Sequence, residues 1–402
     1  MYRRATRSRP IRQLAHTGVG LRDRARTAET RLRERTGWIR GAANPIEPAA
    51  VATFVTSDGR AIPVLDGYRY RTKPGWKFYG AVRDLVELRR RDGLTPAEVA
   101  ATREAVGTRC LGLPLDEIED LLTTAAKRTP QSFLWSDHAP PVLKPSVADT
   151  ERRIGRLVLR RERQLRAVGF RSGRDRPRLL EIGYTSGGHS LAAFERLGFE
   201  VAGVDNYYDG VAEESDLPHF TMRQAGSHAE LLVGDISDPE TLTGREFELV
   251  FSESVIEHLR DPAGAFRQCR RLTAPGGSTV HSYEPYHSVR GGHSPGTLDA
   301  PFGHVRVSAE DLERYLRELR PNEVPVAVPW VRGALNRCTQ AQVRAAAERA
   351  GLRITHWCPR DDAPDDLTAE IVEECLSLDP ELSPQDLVAG EVVFSGRPER
   401  RS

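Results

Sequence analysis

Residues 178–205 read RLLEIGYTSGGHSLAAFERLGFEVAGVD, and this stretch decides the fold. Its first five residues form an apolar run typical of a buried strand, and residues 183–188 favour a sharp turn. A helical repeat follows and ends at Gly198. A second apolar strand then ends on Asp205. The stretch therefore predicts a β-α-β unit with a glycine-rich first turn.

This layout is typical of a nucleoside site, because the backbone approaches the ligand at the glycines and an acid accepts hydrogen bonds from ribose hydroxyls. Asp205 follows Gly183 by 22 residues. The turn does not fit the dinucleotide pattern G-x-G-x-x-G, because Thr185 stands two residues after Gly183. The chain also has no G-K-[ST] phosphate loop. A glycine turn alone is equally compatible with a plain strand-to-helix connection, so the interpretation depends on further motifs.

Three later stretches supply such motifs: LLVGDI at 231–236, FELVFSESVIEHLRDP at 247–262 and LTAPGG at 272–277. Together with EIGYTSGG at 181–188, they resemble the class I S-adenosylmethionine-dependent methyltransferases, small-molecule branch. The first motif of that family is written [ED]-x-G-x-G-x-G, and Thr185 replaces its middle glycine here. Four motifs in the family's order make the match specific.

The resemblance implies a Rossmann-like, doubly wound, mainly parallel seven-stranded sheet of α/β class and the cofactor S-adenosyl-L-methionine. It also implies that residues 257–258 form a cofactor-side or active-site wall. The residues that it assigns to the cofactor are Glu181, Gly183, Tyr184, Ser186, Gly187, Asp205, Asp235, Ile236 and Glu253.

The chain has 402 residues, which predicts more than one domain. We expect a basic arm at 1–43 and a smaller α+β accessory domain at 44–150, with a β-hairpin at 53–65 and three helices between 78 and 127. The methyltransferase domain is expected at 151–398. It includes a substrate-loop insertion at about 284–335.

Bulk properties exclude several classes of protein. The 58 basic and 57 acidic residues give a net charge of +1, which argues against a dedicated nucleic-acid partner. Five scattered cysteines without a C-x-x-C predict reduced thiols and a cytoplasmic location. Residues 1–40 carry twelve arginines and three acids. They are either a solvated arm or a weak peripheral membrane contact. The sequence does not indicate an oligomeric state.

Histidines are dense after the predicted fifth strand, where open α/β sheets bind ligands. Catalytic candidates there are His281, Glu284, His287 and His293, with His304 further along. A hydroxyl acceptor needs a general base, and imidazole is suited to that role near neutral pH. We expect His281 or His287 to be the base, with Glu284 orienting the ring. His, Glu and His at spacings of three can also bind a metal, but the pattern is not a recognised ligand set, so no metal is predicted.

The sequence thus predicts an enzyme that methylates a small-molecule or glycan acceptor at a hydroxyl oxygen. The alternatives are N- or C-methylation of a metabolite, or a non-catalytic methyltransferase-like scaffold. Methyltransferases that act on base amines commonly carry [DNS]-P-P-[YF] after the fourth strand. Residues 252–255 read SESV instead, which argues against that class.

Overall fold

The computed structural model describes residues 50–65, 68, 95–97, 147–184, 188–206, 217–321, 324–361 and 367–399. The predicted basic arm lies outside the described residues. So do the three predicted helices between 78 and 127, apart from residues 95–97. Within the described ranges, no helix has both the length and the apolar character needed to cross a membrane.

The first two strands form a hairpin, as the D-G turn predicted. Strand β1 (Ala50–Val55) pairs antiparallel with β2 (Ala61–Leu65). Gly59 adopts a φ of +85° in the connecting turn, a conformation that glycine reaches without steric cost.

Seven further strands form one sheet in the order β5-β4-β3-β6-β7-β9-β8. Strands β3 to β7 run parallel, whereas β9 is antiparallel to both β7 and β8. This confirms the predicted doubly wound sheet and its antiparallel edge. The strands are β3 (Arg178–Ile182), β4 (Glu200–Asp205), β5 (Glu230–Val233), β6 (Phe247–Glu253), β7 (Thr273–Tyr283), β8 (Leu352–Asp361) and β9 (Ala389–Pro398).

Helices cover both faces of this sheet. In chain order they are α1 (Val147–Ala167), α2 (His189–Arg196), α3 (Leu217–Ala225), α4 (Pro262–Leu272), α5 (His293–Gly296), α6 (Ala309–Leu319), α7 (Val324–Gly333), α8 (Gln340–Arg349), α9 (Ala369–Leu378) and α10 (Pro384–Val388). Apolar side chains of α1, α2 and α3 pack on one face, and those of α4 and α8 pack on the other. Successive residues of β3 point to opposite faces, so Leu179 and Leu180 belong to different cores.

The hairpin shares a core with the predicted substrate-loop insertion. Phe54 packs edge-on against Tyr315 of α6, with ring centroids 5.3 Å apart. Asp311 accepts hydrogen bonds from the backbone N–H and the hydroxyl of Ser57, at 3.0 Å and 2.9 Å. Arg314 lies over the Phe54 ring and donates to the carbonyl of Val55. The N-terminal hairpin therefore stabilises the segment that follows the fifth parallel strand.

The glycine turn after β3 depends on a close contact with the segment after β6. Gly183 has a φ of +82°, and its N–H donates to the carbonyl of Val204 at 2.9 Å. A Cβ at this position would lie 2.3 Å from Cγ2 of Val255. Only glycine satisfies both the left-handed backbone and this approach.

We predict that Gly183→Ala destabilises the protein more than Gly198→Ala does. Gly198 has a similar φ of +93°, but no atom lies within 4 Å of the Cβ that would be added there. Both variants cost about 1–2 kcal/mol for the left-handed backbone, and only Gly183→Ala adds about 1–3 kcal/mol of overpacking. Denaturant unfolding measures the two free energies. Equal losses in the two variants would contradict the role of the Val255 contact.

Candidate active site

The carboxyl ends of the parallel strands meet at one edge of the sheet. Ile182 pairs with Val204 on one side and with Ser252 on the other. This register places the acids that end β4 and β6, Asp205 and Glu253, on either side of the Gly183 turn. Asp205 is buried, and its backbone carbonyl accepts from the N–H of Gly234 at 3.1 Å. Open α/β sheets bind nucleotides in the crevice at this edge, beside the carboxyl ends of the strands.

A fully buried arginine of α1 lies behind this edge. Arg161 donates to Glu253 at 2.8 Å, to Gln164 at 2.9 Å and to the hydroxyl of Ser190 at 2.9 Å. Its guanidinium also lies 4.5 Å from the ring centroid of Phe251, a cation–π distance. Burial alone would raise the pKa of the Glu253 carboxyl, but the hydrogen bond and charge of Arg161 hold that pKa below its usual value. Arg161 and Glu253 thus form a charge-neutral pair in the interior.

Glu181 lies beside this pair, at the outer limit of ion-pair distance from Arg161. Its Oε1 lies 3.9 Å from Nη2 of Arg161, and its Oε2 has no hydrogen-bond partner in the part of the chain that is described. Burial raises the pKa of the Glu181 carboxyl to about 7, and the charge of Arg161 opposes that rise only in part. Glu181 is therefore a buried acid with an unused oxygen beside the glycine turn.

The other predicted cofactor residues take different positions. The ring of Tyr184 packs in the core, and its hydroxyl donates to the carbonyl of Leu232 at 3.2 Å. Ile236 is buried in the opposite core. Asp235 is exposed, and its carboxylate accepts from the N–H of Ser237 at 2.8 Å. Ser186 and Gly187 lie outside the described residues.

A second group of polar side chains follows β6 at the same edge. A short 3₁₀ turn, Ile256–His258, brings Glu257 and His258 next to His293 of α5. The rings of His258 and His293 stack with centroids 5.0 Å apart, and Trp330 of α7 packs edge-on against both. We call Glu257, His258 and His293 the EHH cluster.

Burial shifts the pKa values of Glu257 and His258 in opposite directions. The carboxyl of Glu257 is fully buried, which raises its pKa to about 8. Its Oε1 accepts from the backbone N–H of Glu284 at 3.2 Å. Burial also lowers the pKa of His258, although its hydrogen bond with the carbonyl of Ala334 opposes the shift. The His258 ring is therefore neutral near pH 7.

The structure places the His281 side chain inside the core, although its backbone pairs with Ser252 near this edge. Its ring is fully buried between Phe266 and Phe394, and its Nδ1 lies 2.7 Å from the hydroxyl of Ser252. Burial lowers its pKa to about 3. A fully enclosed imidazole cannot take a proton from a substrate in this conformation, so the expectation that His281 is the base is not supported.

His287 and His304 lie together in the insertion, around Tyr286. Nε2 of His304 bonds the carbonyls of Tyr286 and Ser288 at 3.0 Å and 3.1 Å, and the Tyr286 hydroxyl donates back to the carbonyl of His304 at 3.2 Å. Burial lowers the pKa of both imidazoles, that of His304 to about 4. These contacts hold the loop after β7, and Glu284 begins it next to the EHH cluster.

The sequence did not predict the role of Arg161, and it did not predict that the three residues of the EHH cluster meet. The signal for Arg161 was its place on the apolar face of α1, seven residues after Ile154 and four before Leu165. Glu257 and His258 were expected only as a wall, and His293 was expected only as a separate loop residue. His258 and His293 are 35 positions apart in the chain, and no local sequence pattern predicts contact over that separation.

Comparison with known proteins identifies the family. A family model described as a methyltransferase domain matches residues 149–356, just over half of the chain. The chain belongs to this family and, with the sheet order above, is a class I S-adenosylmethionine-dependent methyltransferase.

Individual relatives are distant. The ubiquinone biosynthesis O-methyltransferase of Alkalilimnicola ehrlichii is 29% identical over 105 residues, which cover 26% of this chain and 40% of that protein. The TehB-like methyltransferase from Corynebacterium glutamicum is 15% identical, with a TM-score of 0.32 over 63% of this chain and 100% of its own. Phosphoethanolamine N-methyltransferase 2 of Haemonchus contortus, solved with S-adenosyl-L-methionine, is 20% identical, with a TM-score of 0.34 over 59% of this chain and 53% of its own.

We predict that Arg161→Met destabilises the protein far more than Arg160→Met. Both arginines contact Glu253 at 2.8 Å, but the side chain of Arg160 is 45% exposed and that of Arg161 only 2%. Losing Arg161 removes the buried partner of Glu253 and leaves that carboxylate only the half-exposed Arg160, at a cost of about 3–5 kcal/mol, whereas an exposed pair contributes about 1 kcal/mol or less. Urea unfolding at neutral pH compares the two. Similar losses would show that Arg161 is not a buried counter-ion.

Proposed function

We propose that this methyltransferase transfers the methyl group to a hydroxyl oxygen of a small molecule or glycan. The observation that carries the proposal is the EHH cluster, which brings two imidazoles and a carboxyl together at the carboxyl edge of the sheet. The similarity of 105 residues to a ubiquinone biosynthesis O-methyltransferase supports the same acceptor atom.

The chemistry explains why such a cluster favours oxygen. S-adenosylmethionine supplies a methyl group on a positively charged sulfur, ready for in-line displacement. A hydroxyl is a poor nucleophile until its proton is held or removed, and a positioned base contributes about 10²–10⁴-fold. A neutral amine needs much less help. The neutral imidazole of His258 suits the harder case.

The edge fits the cofactor on two observations. The left-handed backbone of Gly183 ends β3 in a tight turn, and the unused Oε2 of buried Glu181 suits a cationic amino group. We propose that Asp205 accepts hydrogen bonds from the ribose hydroxyls. Ser186, Gly187, Asp235 and Ile236 remain predicted cofactor contacts.

The direct interactions of Glu253 and Tyr184 change their proposed roles. Glu253 is bound by Arg160 and Arg161, and the hydroxyl of Tyr184 is bound by a strand carbonyl. We propose that both residues position the cofactor edge and do not themselves bind cofactor through these groups. The acceptor then lies at the EHH cluster, where the turn after β6 meets the insertion.

The cofactor assignment predicts that Asp205→Ala weakens binding of S-adenosylhomocysteine by about tenfold to more than a hundredfold. Loss of a charged hydrogen-bond partner costs about 1.5–3 kcal/mol. Asp175→Ala, an exposed acid in the turn before β3, is the matched control and should leave affinity unchanged. Isothermal titration calorimetry measures both. Unchanged affinity in Asp205→Ala would remove Asp205 from the cofactor site.

The acceptor assignment predicts that His293→Asn lowers kcat by about 10²-fold or more and leaves cofactor affinity unchanged. Asparagine tolerates the positive φ of His293, +53°, so the variant removes the imidazole with little backbone cost. His228→Ala, at an exposed histidine before β5, is the control.

Methyl transfer is followed with ¹³C-methyl S-adenosylmethionine and fractionated metabolites. Carbon NMR of the product then distinguishes oxygen-, nitrogen- and carbon-bound methyl groups. A nitrogen- or carbon-bound methyl group, or turnover of His293→Asn within a few fold of wild type, would refute the proposal.

A further inference from the structure

The EHH cluster has the composition of a metal-binding site. One candidate ligand atom from each of Glu257, His258 and His293 lies within 4.8 Å of the other two. Donors that share an ion at about 2.1 Å lie about 3–4 Å apart, so the cluster closes around an ion by shifts of about 1 Å or less. Two imidazoles and one carboxylate are a known ligand set for divalent transition metals that keep open coordination positions.

The hydrogen bond of His258 prepares its ring to be a ligand. Nδ1 lies 2.7 Å from the carbonyl of Ala334, and a carbonyl only accepts, so Nδ1 carries the proton. In the neutral ring, Nε2 is then left with its lone pair available. Histidine ligands in metal sites are oriented in this way, by donating the other ring N–H to a carbonyl or carboxylate.

Glu257 is a buried carboxyl that forms no ion pair with a cationic side chain among the described residues. Oε1 accepts one backbone hydrogen bond, and Oε2 has no hydrogen-bond partner within the described ranges of the chain. The carboxyls of Glu284 and Glu253, which act on it electrostatically, carry charge of the same sign. A buried carboxylate is stable when it is paired or coordinates a metal. A divalent cation at Oε2 would satisfy this group.

The backbone of His293 is held in a costly conformation that turns its ring onto His258. Its φ is +53°, which is unusual for a residue other than glycine, and such strain clusters at functional sites. The segment before it is fixed, because a Cβ at Gly291 would lie 1.9 Å from the carbonyl oxygen of Tyr286. The N–H of His293 donates to the carbonyl of Arg290 at 2.9 Å. The chain therefore presents this imidazole to the other two groups.

We propose that Glu257, His258 and His293 bind one divalent transition-metal ion, of the type of Zn²⁺ or Co²⁺, whose open position takes the acceptor hydroxyl. This role rests on the proposed O-methylation, whereas the binding of the ion does not. The ion acts as a Lewis acid that lowers the pKa of the hydroxyl. The hydroxyl proton passes to solvent, the oxygen forms a bond to the methyl carbon, and the carbon–sulfur bond breaks to leave a neutral thioether.

The test starts from full-length protein stripped with a chelator and then titrated with Zn²⁺, Co²⁺ or Mg²⁺. We expect one Zn²⁺ or Co²⁺ site per chain in calorimetry, visible absorption from the bound Co²⁺, and weaker binding of Mg²⁺. Bound Zn²⁺ should also raise the Tm, because a ligand of the folded state stabilises it.

Two variants and one control locate the site. Glu257→Gln keeps the side-chain volume, and His293→Asn keeps the left-handed backbone. Each should weaken Zn²⁺ binding by at least about tenfold and remove the Tm rise. His228→Ala should bind Zn²⁺ like the wild type. Unfolding curves of the stripped proteins show whether a variant folds, and either variant alone decides the location.

The outcomes separate the metal site from the proposed function. No Zn²⁺ or Co²⁺ binding by wild type, or equal binding by both variants, overturns the metal site. Full O-methylation by the stripped protein in the presence of chelator overturns the catalytic role of the ion and leaves the proposed function standing. A bound ion together with a nitrogen- or carbon-methylated product keeps the site and refutes O-methylation.

Discussion

The active edge depends on one buried charge, the guanidinium of Arg161. An arginine in the interior is tolerated only when its charge and donors are paired, and here Glu253, Gln164 and Ser190 pair them. Because Arg161 belongs to α1 and Glu253 ends β6, their pair fixes this helix against the centre of the sheet. The charge of Arg161 is matched by Glu253, so burial raises the pKa of the more distant Glu181 to about 7.

The acceptor side is built differently, from segments far apart in the chain. The hairpin at 50–65 packs on α6 and α7, and Arg306 joins the insertion to Glu374 of α9 at 2.7 Å. These contacts hold the loop after β7 against the sheet. The EHH cluster lies where the turn after β6 meets this loop, so its geometry depends on both. We therefore expect acceptor specificity to depend on the insertion more than on the sheet.

Most of the sheet could be predicted from the sequence, because its strands are continuous apolar runs that end in glycine turns or acids. The stretch at 178–205 is the strongest case. The helices α3, α7 and α10 were not predicted, and α7 even contains Pro329. Proline normally ends a helix, so its presence in α7 reflects tertiary packing that overrides the local preference.

The candidate site was predicted only where strand ends define it. Asp205 and Gly183 follow from the β-α-β pattern. Arg161 does not follow from it, because α1 contains several arginines and the sequence does not show that this one alone points inward and is buried. His281 was expected at the edge. Because side chains alternate between the two faces of a strand, His281 and Tyr283 of β7 lie on the same face, and both rings point into the core. The meeting of His258 with His293 depends on loop backbone, which periodicity does not describe.

The most direct test of this account is the pH dependence of stability in wild type and Glu181→Gln, measured by denaturant unfolding without cofactor. The pKa of Glu181 is raised from 4.5 to about 7, so between these values the folded state keeps a proton that the unfolded state has lost. Wild-type stability should then fall relative to the variant by about 1.4 kcal/mol per pH unit across this window. If the stability of the wild type relative to the variant instead stayed constant or rose between about pH 5 and pH 8, the proposed charge arrangement around Arg161 would be contradicted.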